Sequence, residues 1–101
     1  MSKLHLTAEE LVCVQTILMQ WVPNAEVWAY GSRVNGTGHD ASDLDLVIRN
    51  STSLTTPTAK ISQLKQAFRD SELAILVDVM DWAMLPETFK SEINKNYVKL
   101  I

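Results

Sequence analysis

Two acidic residues inside a short apolar run are the first sign of chemistry in this sequence. Asp43 and Asp45 lie two positions apart, and residues 46–48 continue as Leu-Val-Ile. On a β-strand, residues two apart project from the same face. Two ionised carboxylates held that close repel each other unless a cation lies between them. The pair therefore predicts a divalent-cation site, and carboxylate ligands suit Mg²⁺ or Mn²⁺ better than zinc.

A third carboxylate on a neighbouring strand would complete a site for two-metal phosphoryl chemistry. Asp78 and Asp81 are the candidates, both within the apolar segment 74–82. They are three residues apart, so on a strand they face opposite sides and only one can join the pair. We favour Asp78, which lies deeper in the apolar run. Asp81 remains the rival, although it is also well placed to cap a helix that follows it.

Gly31 and Ser32 form a second candidate site, at the end of the apolar segment 25–30. Backbone N–H groups at the turn between a strand and a helix bind phosphate well, and a serine hydroxyl adds a donor. Arg33 is close enough in sequence to reach a polyphosphate. An exposed, solvated arginine is an equally good interpretation of Arg33.

Local patterns predict the elements that position these residues. Thr7 and Glu10 form a capping-box pattern that begins a first helix. Strands are predicted at 25–30, at 43–48 and, as a central strand, at 74–82. Two further helices are predicted, one opened by Pro57 and ending near Ser71, and one opened by Pro86. The order is helix, strand, turn, strand, helix, strand, helix, which is an α/β chain.

Composition narrows the class of protein. A chain of 101 residues predicts one domain, residues 1–101, with one modest core. Its net charge of −3 and pI of about 5.2 argue against an extensive nucleic-acid-binding surface. The single cysteine, Cys13, excludes an internal disulfide framework. No apolar run approaches the length of a membrane span, and the first ten residues lack a signal-peptide core, so we expect a cytoplasmic protein.

The spacing of the two candidate sites is the most specific feature of the chain. Ten residues separate Ser32 from Asp43, which gives the pattern Gly-Ser-x10-Asp-x-Asp. This pattern, followed by Val-Asp-Val around Asp78, resembles the signature of the DNA polymerase beta-like nucleotidyltransferase superfamily. The likeness is to its minimal, single-domain branch and covers essentially the whole chain. It implies a small mixed β-sheet with helices packed on it, the palm-like fold of these enzymes.

The resemblance also implies a role for each matching residue. Gly31 and Ser32 would hold the triphosphate of a nucleotide, and Asp43 and Asp45 would bind two Mg²⁺ ions, or Mn²⁺. Asp78 matches the position of the family's third acid. The implied activity is transfer of a nucleotide monophosphate to an acceptor hydroxyl, with ATP or another NTP as the substrate.

A separate partner protein is expected, because a chain this short has little room for an acceptor-binding domain. Minimal family members are often encoded beside a helical HEPN-type protein, and some act as antitoxins that add AMP to a tyrosine of that partner. A hydrophobic share of 47% also favours a homodimer or a heteromeric complex. Two alternatives stay open: an inactive module that only sequesters its partner, and a nucleotide-sensing subunit that transfers nothing.

Overall fold

The computed structural model describes residues 4–36 and 42–101. Within those ranges, helices and strands alternate along the chain. Their order is α1 (Ala8–Trp21), β1 (Glu26–Tyr30), α2 (Ser32–Asn35), β2 (Leu44–Arg49), α3 (Ile61–Asp70), β3 (Val77–Asp81), a 3₁₀ helix (Trp82–Met84), α4 (Glu87–Lys95) and β4 (Val98–Lys99).

The strands form one mixed sheet in the order β3-β2-β1-β4. β2 runs antiparallel to β1 and parallel to β3, while β4 pairs antiparallel with β1. The predicted α/β class with a small mixed sheet is therefore confirmed. The predicted central position of segment 74–82 is wrong, because α3 carries the chain to the outer side of β2 and leaves β3 at the edge of the described sheet. The short strand β4 was not predicted.

The two faces of the sheet carry different cores. On one face, α1 and α3 pack against alternate strand residues such as Val27, Leu46 and Val79. On the other face, α4 and the 3₁₀ helix cover a smaller cluster that includes Trp28 and Val47. Side chains alternate between the two faces of a strand, so a residue two positions from Val47 on β2 projects toward the same face as α4. Asp45 is one such residue.

The helices begin and end close to their predicted positions, with one exception. The capping box of α1 is present: Thr7 Oγ1 accepts from the Glu10 N–H at 3.1 Å, and Glu10 Oε1 accepts from the Thr7 N–H at 2.9 Å. α3 starts at Ile61 instead of Pro57, after Lys60 in the left-handed region at φ 68°. That conformation interrupts the right-handed backbone, so residues 57–60 stay outside the helix. None of the helices in the described ranges has the length and apolarity to cross a membrane.

Candidate nucleotidyl-transfer site

A row of polar side chains crosses three strands at one end of the sheet. The antiparallel register pairs Tyr30 of β1 with Asp45 of β2, and the parallel register pairs Asp45 with Asp78 of β3. Residues paired in register lie on the same face of a sheet. Asp43 immediately precedes β2 and lies two residues from Asp45, on the same side of the chain. The structure thus brings together three of the carboxylates that the sequence singled out.

Register also separates Asp78 from its rival. Asp81 pairs with Ile48, whose side chain belongs to the core under α1 and α3, on the opposite face. Its carboxylate accepts hydrogen bonds from the Thr58 N–H at 3.1 Å and the Ala83 N–H at 3.4 Å. The prediction that Asp81 caps the following helix is confirmed. Asp81 thus connects the backbone before α3 with the backbone after β3. Its side chain does not face Asp45.

Asp78 joins the row, but it is not buried as its position in the apolar run predicted. We expected Asp78 to be buried in the apolar run, but it is exposed because β3 is an edge strand. Asp43 is also exposed, whereas Asp45 is half-buried. One carboxylate therefore sits in the sheet with restricted freedom, and the other two flank it from the solvent side. Exposed side chains can rotate toward a shared ligand at little cost.

The carboxylates of the row affect one another's pKa. Burial raises the pKa of Asp45 above its usual range, and the negative charges of Asp78 and Asp43 raise it further. The same causes raise the pKa of the Tyr30 hydroxyl to about 12, with burial first and then the charges of Asp45 and Asp78. Tyr30 is therefore a neutral phenol at physiological pH and adds no charge to the row. The row concentrates negative charge that a cation would neutralise.

Gly31 connects this row to the glycine-serine turn. Its backbone has φ 80° and ψ −153°, a region that essentially only glycine adopts. A Cβ added there would lie 2.5 Å from Asp45 Oδ2. The turn therefore passes directly against the central carboxylate, and Ser32 begins α2 immediately afterwards. The two candidate sites of the sequence are one site in the structure.

Arg33 differs from both interpretations of the sequence. Its side chain is only 2% exposed, so the exposed, solvated arginine is wrong. Its Nε donates to the Ser42 carbonyl at 2.8 Å, and its Nη1 donates to the His5 carbonyl at 2.6 Å. The His5 N–H in turn donates to the Arg33 carbonyl at 2.7 Å. The predicted contact between Arg33 and a polyphosphate gains no support from these hydrogen bonds, because they direct the guanidinium to the main-chain carbonyls of His5 and Ser42.

We expect Arg33→Met to lower the free energy of unfolding by about 2–4 kcal/mol, because it leaves two carbonyl groups without their charged donor. Chemical denaturation followed by circular dichroism measures this. The matched control is Arg69→Met: Arg69 is exposed on α3 and bonds only Gln66 among the contacts seen. Its effect should stay within about 0.5 kcal/mol. Equal effects of the two substitutions would contradict the anchoring role of Arg33.

The donor set fits a hard divalent cation, although it is not pre-assembled. Among the described residues, no three acidic, histidine or cysteine side chains converge closely enough to hold a metal ion as they are positioned. Asp43, Asp45 and Asp78 nevertheless share one face, offer only oxygen ligands, and include two exposed members that are able to rotate inward.

Sequence reasoning missed the residues that line the rest of this face. The Arg49 guanidinium lies 3.8 Å from the centre of the Trp28 ring and 4.7 Å from that of Trp82, and it pairs with Glu26. Tyr97 also stacks on the Trp28 ring, with ring centres 3.7 Å apart. The positions of Trp28 and Tyr30, two apart, do indicate a shared face. Their partners depend on strand register and on where α4 packs, which no local pattern encodes.

Comparisons with known proteins bear on the family and the fold of the chain. A family model described as "Poly(A) RNA polymerase, mitochondrial-like, central palm domain" matches residues 2–95. The chain is 44% identical over 97 residues to the probable protein adenylyltransferase MntA of Haemophilus influenzae, covering 96% of this chain and 83% of that protein. A crystal structure described as a toxin-antitoxin with AMP-PNP has the same fold, with a TM-score of 0.71 at 20% identity, over 90% of this chain and 72% of the other.

The family match spans nearly the whole chain and includes the glycine-serine turn and all three aspartates of the row. The relative that is 44% identical is also matched over most of its length. The chain therefore belongs to the family of the mitochondrial-like poly(A) RNA polymerase central palm domain, and it is a nucleotidyltransferase.

Proposed function

We propose that this chain transfers AMP from ATP to a hydroxyl group of a separate partner protein, with divalent cations held by Asp43, Asp45 and Asp78. The observation that carries the proposal is the contact between Gly31 and the Asp45 carboxylate, in a row whose next member is Asp78. Phosphate-binding and cation-binding groups thereby meet at one point. The adenylyl group and the protein acceptor follow from the name of the 44% identical relative, a probable protein adenylyltransferase.

Each residue of the site has a role in this proposal. The main chain at Gly31 and the Ser32 hydroxyl bind the β- and γ-phosphates of ATP. Asp45 lies at the centre of the row and would hold Mg²⁺ or Mn²⁺ together with Asp43 and Asp78. When bound, these ions supply charge neutralisation at the attacking and leaving oxygens of an in-line displacement. Asp78, exposed at the sheet edge, is open to solvent on the side from which an acceptor hydroxyl can approach, and it accepts the hydroxyl proton.

The proposed step forms one bond and breaks one bond at the α-phosphorus. The acceptor oxygen forms a bond to the α-phosphorus of ATP while the bond from that phosphorus to the bridging oxygen of pyrophosphate breaks. Pyrophosphate leaves on the side of Gly31 and Ser32, opposite the incoming oxygen. A separate protein as the acceptor is supported by the name of the 44% identical relative, a probable protein adenylyltransferase. A helical partner of the HEPN type, with a tyrosine acceptor, is the specific form we propose from the resemblance.

A transfer assay tests the proposal. The purified chain is incubated with Mg²⁺, ATP labelled at the α-phosphate, and the product of the neighbouring gene. We expect label on the partner and release of pyrophosphate. Asp43→Asn should abolish labelling, because it removes a cation ligand. Asp81→Asn is the matched control, since Asp81 faces the other side of the sheet and its substitution should leave the transfer rate within a few-fold of the starting protein.

Three results would contradict the proposal in different ways. Labelling that survives Asp43→Asn would exclude the carboxylate row as the catalytic centre. Tight partner binding without any labelling, unchanged by Asp43→Asn, would favour an inactive module that sequesters its partner. Mg²⁺-dependent ATP binding without labelling of the partner, a small molecule or an RNA end would favour the nucleotide-sensing subunit.

A further inference from the structure

Strand β3 lies at one edge of the sheet, and nothing in the described part of the chain pairs with its outer side. The Leu44 N–H donates to the Leu76 carbonyl at 2.9 Å, and β2 and β3 run parallel from there. Main-chain groups of alternate residues point to opposite sides of a strand, so Leu76 and Asp78 bond toward β2. The N–H and carbonyl groups of Val77 and Val79 therefore point away from the sheet.

Two apolar side chains lie at the ends of this open edge. Leu76 precedes β3, Met84 lies in the 3₁₀ helix that follows it, and each of the two is 72% exposed. They are the most exposed large hydrophobic residues in the described ranges. An open strand edge flanked by exposed apolar side chains is a place where another extended chain can add to a sheet. The edge therefore has the features of a strand-docking site.

The charge around the edge favours one kind of occupant. Residues 70–89 include five acidic residues and no lysine, arginine or histidine. A second copy of this chain would bring the same acids to the edge, and like charges opposite each other in a strand pair are destabilising. A segment that carries lysine or arginine would instead be attracted. The charge complementarity thus points to a basic extended segment of another protein.

Register determines what such a segment would place next to Asp78. Tyr30, Asp45 and Asp78 already form a row across β1, β2 and β3, because residues paired in register share a face. A strand added to the outer side of β3, in either direction, places its residue opposite Asp78 on that same face. The Cβ atoms of residues paired in this way lie roughly 5 Å apart. A hydroxyl on the added residue would extend the row beside Asp78.

We propose that the partner presents its acceptor hydroxyl on a basic, extended segment that pairs with the outer edge of β3, in register with Asp78. This docking mode rests on the proposed nucleotidyl transfer and extends it, because it names the surface that selects the acceptor. Main-chain pairing with Val77 and Val79 supplies the register. The acidic surroundings supply the preference for lysine or arginine in the segment.

Amide hydrogen exchange measured by NMR tests the pairing. The Val77 and Val79 N–H groups are unpaired at the edge of the free chain, so the product of the neighbouring gene should slow their exchange on the order of 10-fold or more. Unchanged exchange at both amides, while label transfer proceeds, would overturn the docking mode and leave the transfer standing. Slow exchange in the chain alone, with a dimer seen by sedimentation, would assign the edge to a second copy and also overturn it.

Charge substitutions at Leu76 test the nature of the segment. Leu76→Lys and Leu76→Glu remove the same apolar side chain and add opposite charges. At saturating Mg²⁺–ATP, we expect Leu76→Lys to raise the KM for the acceptor protein on the order of 10-fold, whereas Leu76→Glu should leave it within about 3-fold. Val12→Lys is the matched control, because Val12 is 62% exposed on α1, away from this edge. Its KM should equal that of the unaltered chain.

The outcomes separate the docking mode from the proposed function. Equal rises in KM for Leu76→Lys and Leu76→Glu would exclude a basic segment, and an equal rise for Val12→Lys would show that the effect does not belong to the edge. Either result overturns the docking mode while nucleotidyl transfer stands. If the unaltered chain transfers no label to the product of the neighbouring gene, the proposed function fails and the docking mode fails with it. Slowed exchange at Val77 and Val79 together with the charge-dependent KM supports both.

Discussion

Replacement of Asp45 by asparagine will lower the rate of nucleotidyl transfer on the order of 10³-fold and will at the same time stabilise the metal-free protein. The loss of rate follows because Asp45 is the central member of the row, in register with Asp78 and adjacent to Gly31. An amide offers a weaker, uncharged ligand at the point where charge develops in the displacement. Single-turnover transfer of α-phosphate label to the partner measures this.

The gain in stability has a separate cause. Burial and the charges of Asp78 and Asp43 raise the pKa of Asp45, so the folded chain binds that proton more tightly than the unfolded chain does. Ionised Asp45 therefore destabilises the fold at neutral pH, and this cost disappears as the pH falls toward the raised pKa. Asp45→Asn removes it at all pH values. We expect a higher melting temperature for the variant at neutral pH, with the difference shrinking at lower pH.

Magnesium should reverse the order of stability. A cation bound only by the folded state raises the melting temperature of the unaltered chain through mass action. Asp45→Asn should respond weakly, because the proposed cation site has lost one of its charged ligands. Thermal scans with and without Mg²⁺ provide the comparison. A metal-free variant that melts below the unaltered chain, or one that gains equally from Mg²⁺, would show that Asp45 is a structural carboxylate.

Gly31→Ala should give the second large effect, a fall in transfer rate of about 10²-fold or more. The added Cβ would lie 2.5 Å from Asp45 Oδ2, so the carboxylate must move. A displacement near 1 Å at a catalytic group costs roughly 10²-fold in rate. The backbone at φ 80° and ψ −153° adds strain of about 1–3 kcal/mol for any residue with a side chain. Transfer assays and denaturation curves measure the two effects separately.

Gly36→Ala is the matched control, because it isolates backbone strain from the clash. Gly36 also has positive φ, at 86°, but a Cβ there would meet no atom of residues 4–36 or 42–101 within 4 Å. Its substitution should lower the free energy of unfolding by about 1 kcal/mol and leave the transfer rate nearly unchanged. If Gly31→Ala and Gly36→Ala reduced the rate equally, strain at the turn would explain the loss, and contact with Asp45 would not.

Much of the fold follows from short-range patterns. The capping box at Thr7 and Glu10 depends on residues three apart, and it forms as predicted. The first two strands lie within one residue of their predicted bounds. The start of α3 was wrong because Pro57 is a favourable first-turn residue, while the left-handed backbone at Lys60 has no local signature. Local patterns also gave no indication of β4, whose two residues pair with β1 across most of the chain.

Some features of the candidate site also follow from local patterns, and others do not. Alternation along one strand suffices to place Asp43 and Asp45 on one face, and the ten-residue spacing suffices to relate them to Gly31 and Ser32. Burial could not be predicted for Asp78, because an apolar run is compatible with a central strand and with an edge strand covered on one side. Arg33 shows the same limit: its carbonyl partners at His5 and Ser42 are 28 and 9 residues away.

The sequence by itself determined which residue types are present, which of them share a strand face, and how far along the chain the glycine-serine turn lies from the carboxylates. Tertiary structure alone decided that Asp78 and not Asp81 joins Asp45, and that Gly31 lies against the central carboxylate. The physical reason is that side-chain alternation is a property of one strand. Register between strands and the packing of helices depend on contacts between residues far apart in the chain.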